Sequence, residues 1–340
     1  MQLSRSVLFV GDGGNTQILK RLLNERQIDL HAHVRPVSVK MSRLLRHLRY
    51  FGLAAYAAFF RKHHDAVFIW QQYVGLYYFL ISIVYPWYWR PCCVYYMIYE
   101  AKPRSIVSWV KRFLLTRMIH SRYVHKAVFL SQCDALYADI HVEKRILLST
   151  YTSKSQYIEK RLADNSFQLR SDYFSGGTNN RDYSSLKRIA EIMGDKKFSV
   201  ACLPKDLSRI SPIPENMHID CNAYGDAFEE LILSTKAVII PIVDPNVTSG
   251  QIVCLQAMQS AKPVFITRNN FMSDWMPDIA ALRFFVMYDE LYKLCSVLNA
   301  LTDDDLKGLG AQAREYYLKH FDEEPFYCGI VDVIDTELLR

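Results

Sequence analysis

The fold of this chain is decided by the stretch DPNVTSGQIVCLQAM at residues 244–258, followed by KPVFIT at residues 262–267. It is typical of a strand end, a small polar loop, a helix and a second strand. Thr248, Ser249 and Gly250 fall where the helix would begin, and Gln251 and Gln256 fall on its first turns. Free backbone N–H groups at a helix start, together with the helix dipole, form a site for an anion such as a diphosphate. Taken alone, the loop is equally typical of an ordinary N-cap.

Short apolar strands and helical stretches alternate along the whole chain. The strands predicted in the first half are Val7–Val10, Ala66–Trp70, Cys93–Ile98 and Ala127–Ser131. Those in the second half are Asp172–Ser175, Phe198–Leu203, Met217–Cys221, Ala237–Val243 and Val264–Thr267. Between the strands lie stretches with helical spacing, such as Thr16–Glu25, Ser42–Arg61, Tyr183–Met193 and Gln251–Ser260. This alternation predicts an α/β fold of parallel sheets with helices on both faces.

The length of 340 residues predicts two domains, each able to bury its own core. A polar segment at residues 149–155 and the short helix after it place the boundary within residues 150–170. Taken at residue 165, it gives domains 1–165 and 166–320. The last stretch, residues 321–340, lies beyond the final predicted strand. We expect it to be a C-terminal helix that crosses back onto the first domain.

Charge is divided unevenly between the halves. Residues 1–150 hold 21 Lys and Arg against 8 Asp and Glu, a net charge of +13, and the remainder holds 20 against 27, a net charge of −7. A basic half favours anionic partners such as a membrane surface, a phosphorylated lipid or nucleic acid. The basic residues of Lys40–Phe51 and Trp109–Arg117 are interleaved with leucine and aromatic residues, which favours peripheral contact with a membrane over nucleic acid. The alternative is a helix whose apolar side packs on its own sheet.

The eight cysteines form no C-x-x-C pair and have no zinc spacing, so we expect reduced thiols. His31 and His33 are separated by one residue, and we interpret them as alternate side chains of a strand rather than as metal ligands. The apolar run Tyr73–Trp89 falls short of the roughly 20 residues of a membrane-spanning helix, so a buried or interfacial helix is expected.

A first glycine-rich turn, GDGGNT at residues 11–16, follows a strand and precedes a helix. It lacks the G-x-G-x-x-G register of a dinucleotide fold. Its glycines still allow a ligand to approach the backbone, so Gly13, Gly14 and Asn15 would touch an acceptor or the reacting end of a donor if the turn faces a cleft. A tight strand–helix turn without a ligand is the alternative.

A second glycine-rich turn, FSGGTNNRDY at residues 174–183, repeats this pattern. Arg181 is predicted in the first turn of the following helix, a poor place for a cation because of the helix dipole. A bound anion would resolve that conflict, since guanidinium groups bind phosphate oxygens in pairs. Arg181 is therefore our predicted diphosphate contact, and an ion pair with Asp182 or Asp172 is the alternative. Two such loops after parallel strands indicate one crevice at the carboxyl ends of the strands.

FSGGTNNRDY together with SGQIVCLQAMQSAKPVFIT resembles the donor-binding lobe of bacterial GT-B glycosyltransferases, of the family-4-like kind that builds capsular and exopolysaccharides. In the first half, MIYEAKPRSIVSWVKRFLLTRMIHSRYVHKAVFLSQ at residues 97–132 resembles their acceptor lobe. The resemblance extends from about Val7 to Met276. It implies a GT-B fold, in which two Rossmann-like, doubly wound parallel-sheet lobes face a central cleft.

The resemblance also implies roles for individual residues. Gly177, Thr178 and Arg181 would lie by the nucleotide diphosphate, and Gln256 would approach the ribose. Phosphates and sugar would be surrounded by Thr248, Ser249, Gly250 and Gln251. Large families of this fold carry two glutamates separated by seven residues where this chain has Thr248 and Gln256. The Gln256 amide can still hydrogen-bond a ribose hydroxyl, but Thr248 cannot supply a negative charge.

Candidates for the remaining roles come from both halves. Lys205 and Tyr224 would contact the base, with a solvated lysine and a hydrophobic staple as the respective alternatives. An inverting transfer needs a base to take the acceptor's proton, and Glu100, with Lys102 beside it, and Asp12 are the candidates.

The function that these features favour is transfer of a sugar from a UDP-linked donor to a glycan or a polyprenyl-diphosphate-linked acceptor in surface polysaccharide synthesis. The protein would be cytoplasmic and peripheral on the inner face of the membrane. No metal or other cofactor is expected, since Arg181 and the helix N-termini can stabilise the leaving diphosphate. Because the glutamate pair is missing, a non-catalytic partner subunit is the alternative. A third possibility, a nucleotide-sugar epimerase, is disfavoured by the basic, aromatic-rich first half.

Overall fold

The structure, a computed structural model, describes residues 5–37, 41–97, 105–129, 142–147, 154–247, 249–269, 272, 276 and 279–339. The chain divides into two compact units. The first comprises Met1–Ser149 with Phe326–Arg340, and the second comprises Thr150–Pro325. The division falls at residue 150, and the helix Gln156–Ala163 belongs to the second unit.

The first unit contains a six-stranded parallel sheet in the order β2-β1-β3-β4-β5-β6. Its strands are β1 Arg5–Gly11, β2 Ile28–Val34, β3 Ala66–Trp70, β4 Cys92–Met97, β5 Lys126–Phe129 and β6 Arg145–Leu147. The helices are α1 Thr16–Glu25, α2 Arg43–Phe60, α3 Gln72–Val84 and α4 Ile106–Ile119. Edge strands β2 and β6 were missing from the predicted set, because β2 is buried only at Ile28 and β6 has only three residues.

Both faces of this sheet are covered, which is why its central strands are continuous apolar runs; β3, with the sequence AVFIW, is buried at every position. One face packs against α2, α3 and α4. The other packs against α1 and the last helix, α11 Glu323–Val333.

The second unit contains another six-stranded parallel sheet, in the order β12-β11-β10-β7-β8-β9. Its strands are β7 Ser171–Gly176, β8 Phe198–Ala201, β9 Met217–Asp220, β10 Thr235–Ile240, β11 Val264–Thr267 and β12 Phe285–Tyr288. Its helices are α5 Gln156–Ala163, α6 Tyr183–Ile192, α7 Asp226–Leu233, α8 Gln251–Gln259, α9 Leu291–Ala300 and α10 Asp303–His320. β12, at the sheet edge, was not predicted.

Strand order reverses at one point in each sheet. The reversal lies between β1 and β3 in the first unit and between β7 and β10 in the second. In open α/β sheets the crevice for a ligand forms at such a point, outside the carboxyl ends of the strands. Each glycine-rich turn identified in the sequence follows a strand at one of these reversals.

The apolar run at Tyr73–Trp89 forms α3 and the loop after it, and most α3 residues between Gln72 and Ser82 are buried. None of the helices in the described ranges is long and apolar enough to cross a membrane.

Candidate functional site

Two loops lie side by side at the reversal of the second sheet. Residues 177–182 follow β7, and residues 241–250 follow β10. Arg181 and Ile242 form an antiparallel bridge between them. Nearby, the Asp182 N–H donates to the Pro241 carbonyl at 3.0 Å, and the Val243 N–H donates to the Asn180 carbonyl at 3.2 Å. The two loops therefore form one continuous surface; the sequence predicts that they share one crevice.

Asn180 holds the two loops together. Its side-chain amide donates to the Asp244 carbonyl at 2.8 Å and to Ser249 Oγ at 3.2 Å, and its Oδ1 accepts from the Asp244 N–H at 2.9 Å. Its φ of +54° lies in the left-handed region, which asparagine tolerates better than most residues. We did not predict this residue from the sequence, although an asparagine pair after two glycines was a signal for such a conformation.

Arg181 is buried and has no carboxylate partner in the described part of the chain. Only 5% of the residue is exposed, and its Nε and Nη1 donate to the carbonyls of Gly176 and Asn179 at 2.8 and 3.0 Å. The two acids considered as alternative partners are engaged elsewhere: Asp172 pairs with Lys236 at 2.9 Å, and Asp182 accepts from Ser185.

The predicted position of Arg181 inside the helix was wrong. Asp182 caps the helix and α6 begins at Tyr183, so Arg181 precedes the helix. Burial lowers the pKa of the Arg181 guanidinium, but arginine remains charged. A buried cation without a counter-ion is costly, and a bound anion would offset that cost.

Gly177 leaves space for this guanidinium. Its φ is +120°, and a Cβ at this position would lie 2.8 Å from Arg181 Nη2. A larger residue would both strain the backbone and displace Arg181. The turn therefore requires glycine for two independent reasons.

The N-terminus of α8 lies on the other loop. Its N-cap is Gly250, with φ of +92°, and this glycine has no side chain with which to cap the first turn. Ser249 is buried, and its hydroxyl accepts from Asn180. Among the residues that the structure describes, the buried Nε2 atom of Gln251 has no hydrogen-bond partner. Thr248 lies outside the described residues.

Next to these loops, a pocket of about 140 Å³ opens at the ends of β7, β8 and β9. Four predicted donor-binding residues line it: Gly177, Thr178, Tyr224 and Gln256. Phe228, which the sequence did not point to, lines it as well. The volume is below the roughly 300 Å³ of a pocket for a whole drug-sized ligand, so it suits one part of a nucleotide, such as the base or the ribose.

The two candidates for the base contact differ. Tyr224 is 61% exposed, and the residue at the staple position of α7 is Glu229, so no hydrophobic staple forms. Lys205 is exposed on the 3-10 turn Pro204–Arg209 and is not among the lining residues of the pocket. Of the two, only Tyr224 is placed to meet a ligand in this pocket.

At the reversal of the first sheet, Asp12 follows β1. Its Oδ2 accepts from the Tyr50 hydroxyl at 3.1 Å, and burial raises the pKa of the carboxyl group. Asn15 caps α1 by accepting from the Ile18 N–H at 3.3 Å. The neighbouring turn residues Gly13 and Gly14 lie beside Trp70. The other predicted residues of this unit, Glu100 and Lys102, lie outside the described residues.

His31 and His33 lie on β2 and contact different rings. His31 packs against His64 with ring centroids 4.6 Å apart, and His33 stacks on Tyr56 at 3.8 Å. Within the described residues, no group of three or more His, Cys, Asp or Glu side chains could hold a metal ion. The seven cysteines that the structure describes are free thiols.

No protein-family model matches the chain, and no curated protein matches it. Solved structures do resemble it. HepE from Anabaena, solved with UDP, is 12% identical with a TM-score of 0.61, over 97% of this chain and 100% of that one. The UDP-forming α,α-trehalose-phosphate synthase from Burkholderia vietnamiensis is 9% identical with a TM-score of 0.62, over 98% and 100%. The two helix-flanked parallel sheets match the fold of these structures, so the predicted GT-B fold class is confirmed.

Proposed function

We propose that this protein is a glycosyltransferase that takes a sugar from a nucleotide-sugar donor, and that the donor is UDP-linked. One observation carries the proposal: within the described residues, Arg181 is buried without a carboxylate partner at the reversal of the second sheet, and its loop is joined to the loop that leads to Gly250, the N-cap of α8. The UDP bound to HepE and the UDP-forming reaction of the trehalose-phosphate synthase support the choice of UDP.

The chemistry follows from the charges at this surface. When the bond between sugar and diphosphate breaks, negative charge develops on the departing phosphate. The Arg181 guanidinium and the backbone N–H groups of Gly250 and Gln251, at the start of α8, stabilise that charge without a metal ion. The adjacent pocket, with Tyr224 and Gln256 in its wall, takes the base or the ribose.

In the first unit, Asp12 is the proposed base for the acceptor's proton. A partly buried carboxyl group with a raised pKa is a stronger base than an exposed one. Glu100 remains the other candidate. We propose a glycan or a polyprenyl-diphosphate-linked molecule as acceptor and surface polysaccharide as product, on the strength of the family resemblance.

We further propose that the first unit docks on the anionic inner face of the cell membrane through the outer side of α2, α3 and α4. These helices cover one face of the sheet, with α3 packed against both α2 and α4. Apolar side chains are nevertheless exposed along them, among them Leu44, Leu48, Val84, Trp87, Ile106, Val107 and Trp109. The alternative was that the apolar side of each helix packs on its own sheet. The exposed leucines of α2 do not fit that alternative.

We propose an anionic bilayer as the partner of this surface because the surface is basic. The helices α2, α3 and α4 together hold six Lys and Arg and no Asp or Glu; the six are Arg43, Arg46, Arg49, Lys111, Arg112 and Arg117. Each basic residue near an anionic surface contributes about 1 kcal/mol. Buried Arg61 fixes the loop that presents Trp87, because it donates to Ser82 Oγ and to the Trp87 carbonyl at 2.7 and 2.8 Å.

Sedimentation with phosphatidylglycerol and phosphatidylcholine vesicles tests the docking surface. We expect binding to the anionic vesicles that weakens with added salt. Replacing Val107 and Trp109 by serine should weaken it about tenfold, since two exposed apolar contacts are lost. The matched control replaces Leu169 and Tyr292, which are exposed in the second unit. Equal binding to both vesicle types, or equal loss in the control, contradicts the proposal.

A thermal-shift panel of UDP-, GDP-, TDP- and CMP-sugars tests the donor proposal, because a ligand that binds the native state raises the melting temperature. The UDP-linked sugar should give the largest shift. The alternative is a non-catalytic partner subunit, because the chain has Thr248 and Gln256 in place of a glutamate pair. An assay of sugar release distinguishes an enzyme from such a subunit. No shift with any nucleotide sugar overturns the proposed function.

A further inference from the structure

The side chain of Gln256 has a fixed orientation. Its Nε2 donates to Oε1 of Glu229, on α7, at 3.1 Å. An ionised carboxylate only accepts hydrogen bonds, so the amide nitrogen must face Glu229. The amide oxygen, an acceptor, is then the end left for the pocket that Gln256 lines with Thr178 and Tyr224.

Glu229 is itself held in place by neutral donors. Its Oε2 accepts from the hydroxyl of Ser155, the N-cap of α5, and that hydroxyl in turn accepts from the Ile158 N–H at 3.1 Å. Ser155 must therefore direct its proton to Glu229. The adjacent Glu230 differs, since it pairs with Arg161 at 2.7 Å.

Glu229, by contrast, forms no ion pair in the described ranges. Its two oxygens are used by an amide and a hydroxyl, so its contacts orient neighbouring side chains rather than neutralise a cation.

We propose that Glu229 is a positioning residue: it turns the Gln256 amide so that Oε1 accepts a hydrogen bond from a ribose hydroxyl of the bound nucleotide. This inference rests on the proposed function. It also accounts for the glutamine at position 256. A glutamate there would place two carboxylates at this separation, and their repulsion would raise the pKa of one of them. The pair therefore consists of one amide, from Gln256 on α8, and one carboxylate, from Glu229 on α7.

Binding of UDP and of 2′,3′-dideoxy-UDP, measured by titration calorimetry, tests the inference. The wild-type protein should bind UDP about tenfold more tightly, since the analogue leaves the Gln256 oxygen unpaired. In Glu229→Gln the partner is an amide that can accept or donate, so the orientation of Gln256 is no longer fixed and the preference should fall to about threefold or less. Glu230→Gln is the matched control and should keep the full preference.

A charge swap provides the rescue. Gln256→Glu alone should lose stability as pH rises, because a carboxyl group whose pKa is raised in the folded state binds more protons there than in the unfolded chain. Combining Gln256→Glu with Glu229→Gln restores one carboxylate and one amide. The double variant should therefore recover both the pH profile of unfolding and the preference for UDP.

The outcomes separate the two proposals. If the wild-type protein binds no UDP, the proposed function fails and the inference fails with it. If UDP binds but the preference survives Glu229→Gln, or the double variant recovers neither property, the positioning role is overturned while the proposed function stands.

Discussion

The two glycine-rich turns occupy the same place in their sheets but carry opposite charges. Each follows a strand at the point where strand order reverses, and each leads into a helix. The turn of the first unit holds a partly buried carboxyl group, Asp12, that accepts from Tyr50. The turn of the second unit holds a buried guanidinium, Arg181, that donates to backbone carbonyls. The fold supplies the location, and one side chain in each turn decides which charge can be accommodated.

Removing the cation of the second turn should have the largest effect. Arg181→Ala should weaken UDP binding at least about 100-fold, because a charge-assisted contact to the diphosphate is lost. Calorimetry measures this, and circular dichroism checks that the variant is folded. Arg181→Lys retains the charge without the paired donors, so its affinity for UDP should lie between those of the wild-type protein and Arg181→Ala. Arg188→Ala, at an exposed position of α6, is the control. Unchanged affinity in the folded Arg181→Ala variant contradicts the role of this residue.

The next effect comes from the glycine beside that cation. Gly177→Ala should lower the free energy of unfolding by about 1–3 kcal/mol, because alanine is strained at a φ of +120° and its Cβ meets the guanidinium. UDP affinity should fall as well, since Arg181 must move. Urea unfolding provides the measurement. Gly194→Ala, where a Cβ meets nothing within 4 Å, should change stability by about 1 kcal/mol or less. Equal effects at both positions would falsify this account.

A smaller effect is expected from the connection between the two loops. Asn180→Gly keeps the left-handed backbone and removes only the side-chain hydrogen bonds to Asp244 and Ser249. We expect a loss of about 1–2 kcal/mol in unfolding free energy and weaker UDP binding, since the loops are no longer held in register. The control is Asn179→Gly at the exposed neighbouring position. If Asn179→Gly lowers the unfolding free energy as much as Asn180→Gly, the hydrogen bonds of Asn180 are not the cause of the loss.

The smallest effect concerns the anionic turn. The pKa of Asp12 is raised by burial, so the folded state binds more protons than the unfolded state, and stability falls as pH rises from the unfolded to the folded pKa. Asp12→Asn should remove that fall, which urea unfolding at acidic and neutral pH would reveal. Tyr50→Phe removes a hydrogen bond that lowers this pKa, so the acid limb of any activity profile should move to higher pH. An unmoved limb excludes Asp12 as the base.

Sequence reasoning succeeded where the signal was local. Continuous apolar runs such as Ala66–Trp70 predicted the central strands, because a strand covered on both faces is apolar at every position. It missed β2, β6 and β12, which lie at the sheet edges, where exposure or shortness removes that signal. It placed Arg181 in the first turn of α6, although the helical spacing began at Tyr183, where the helix does start.

The alternation of strands and helices, the two glycine-rich turns and the basic character of the first half could be predicted from the sequence, because these features depend on neighbouring residues and on composition. Only the tertiary structure decided that β10 lies beside β7, that Asn180 joins the two loops, and that Glu229 faces Gln256. Those pairings join residues 27 to 69 positions apart in the chain. The physical reason is that such contacts form only when packed sheets and helices bring distant segments together.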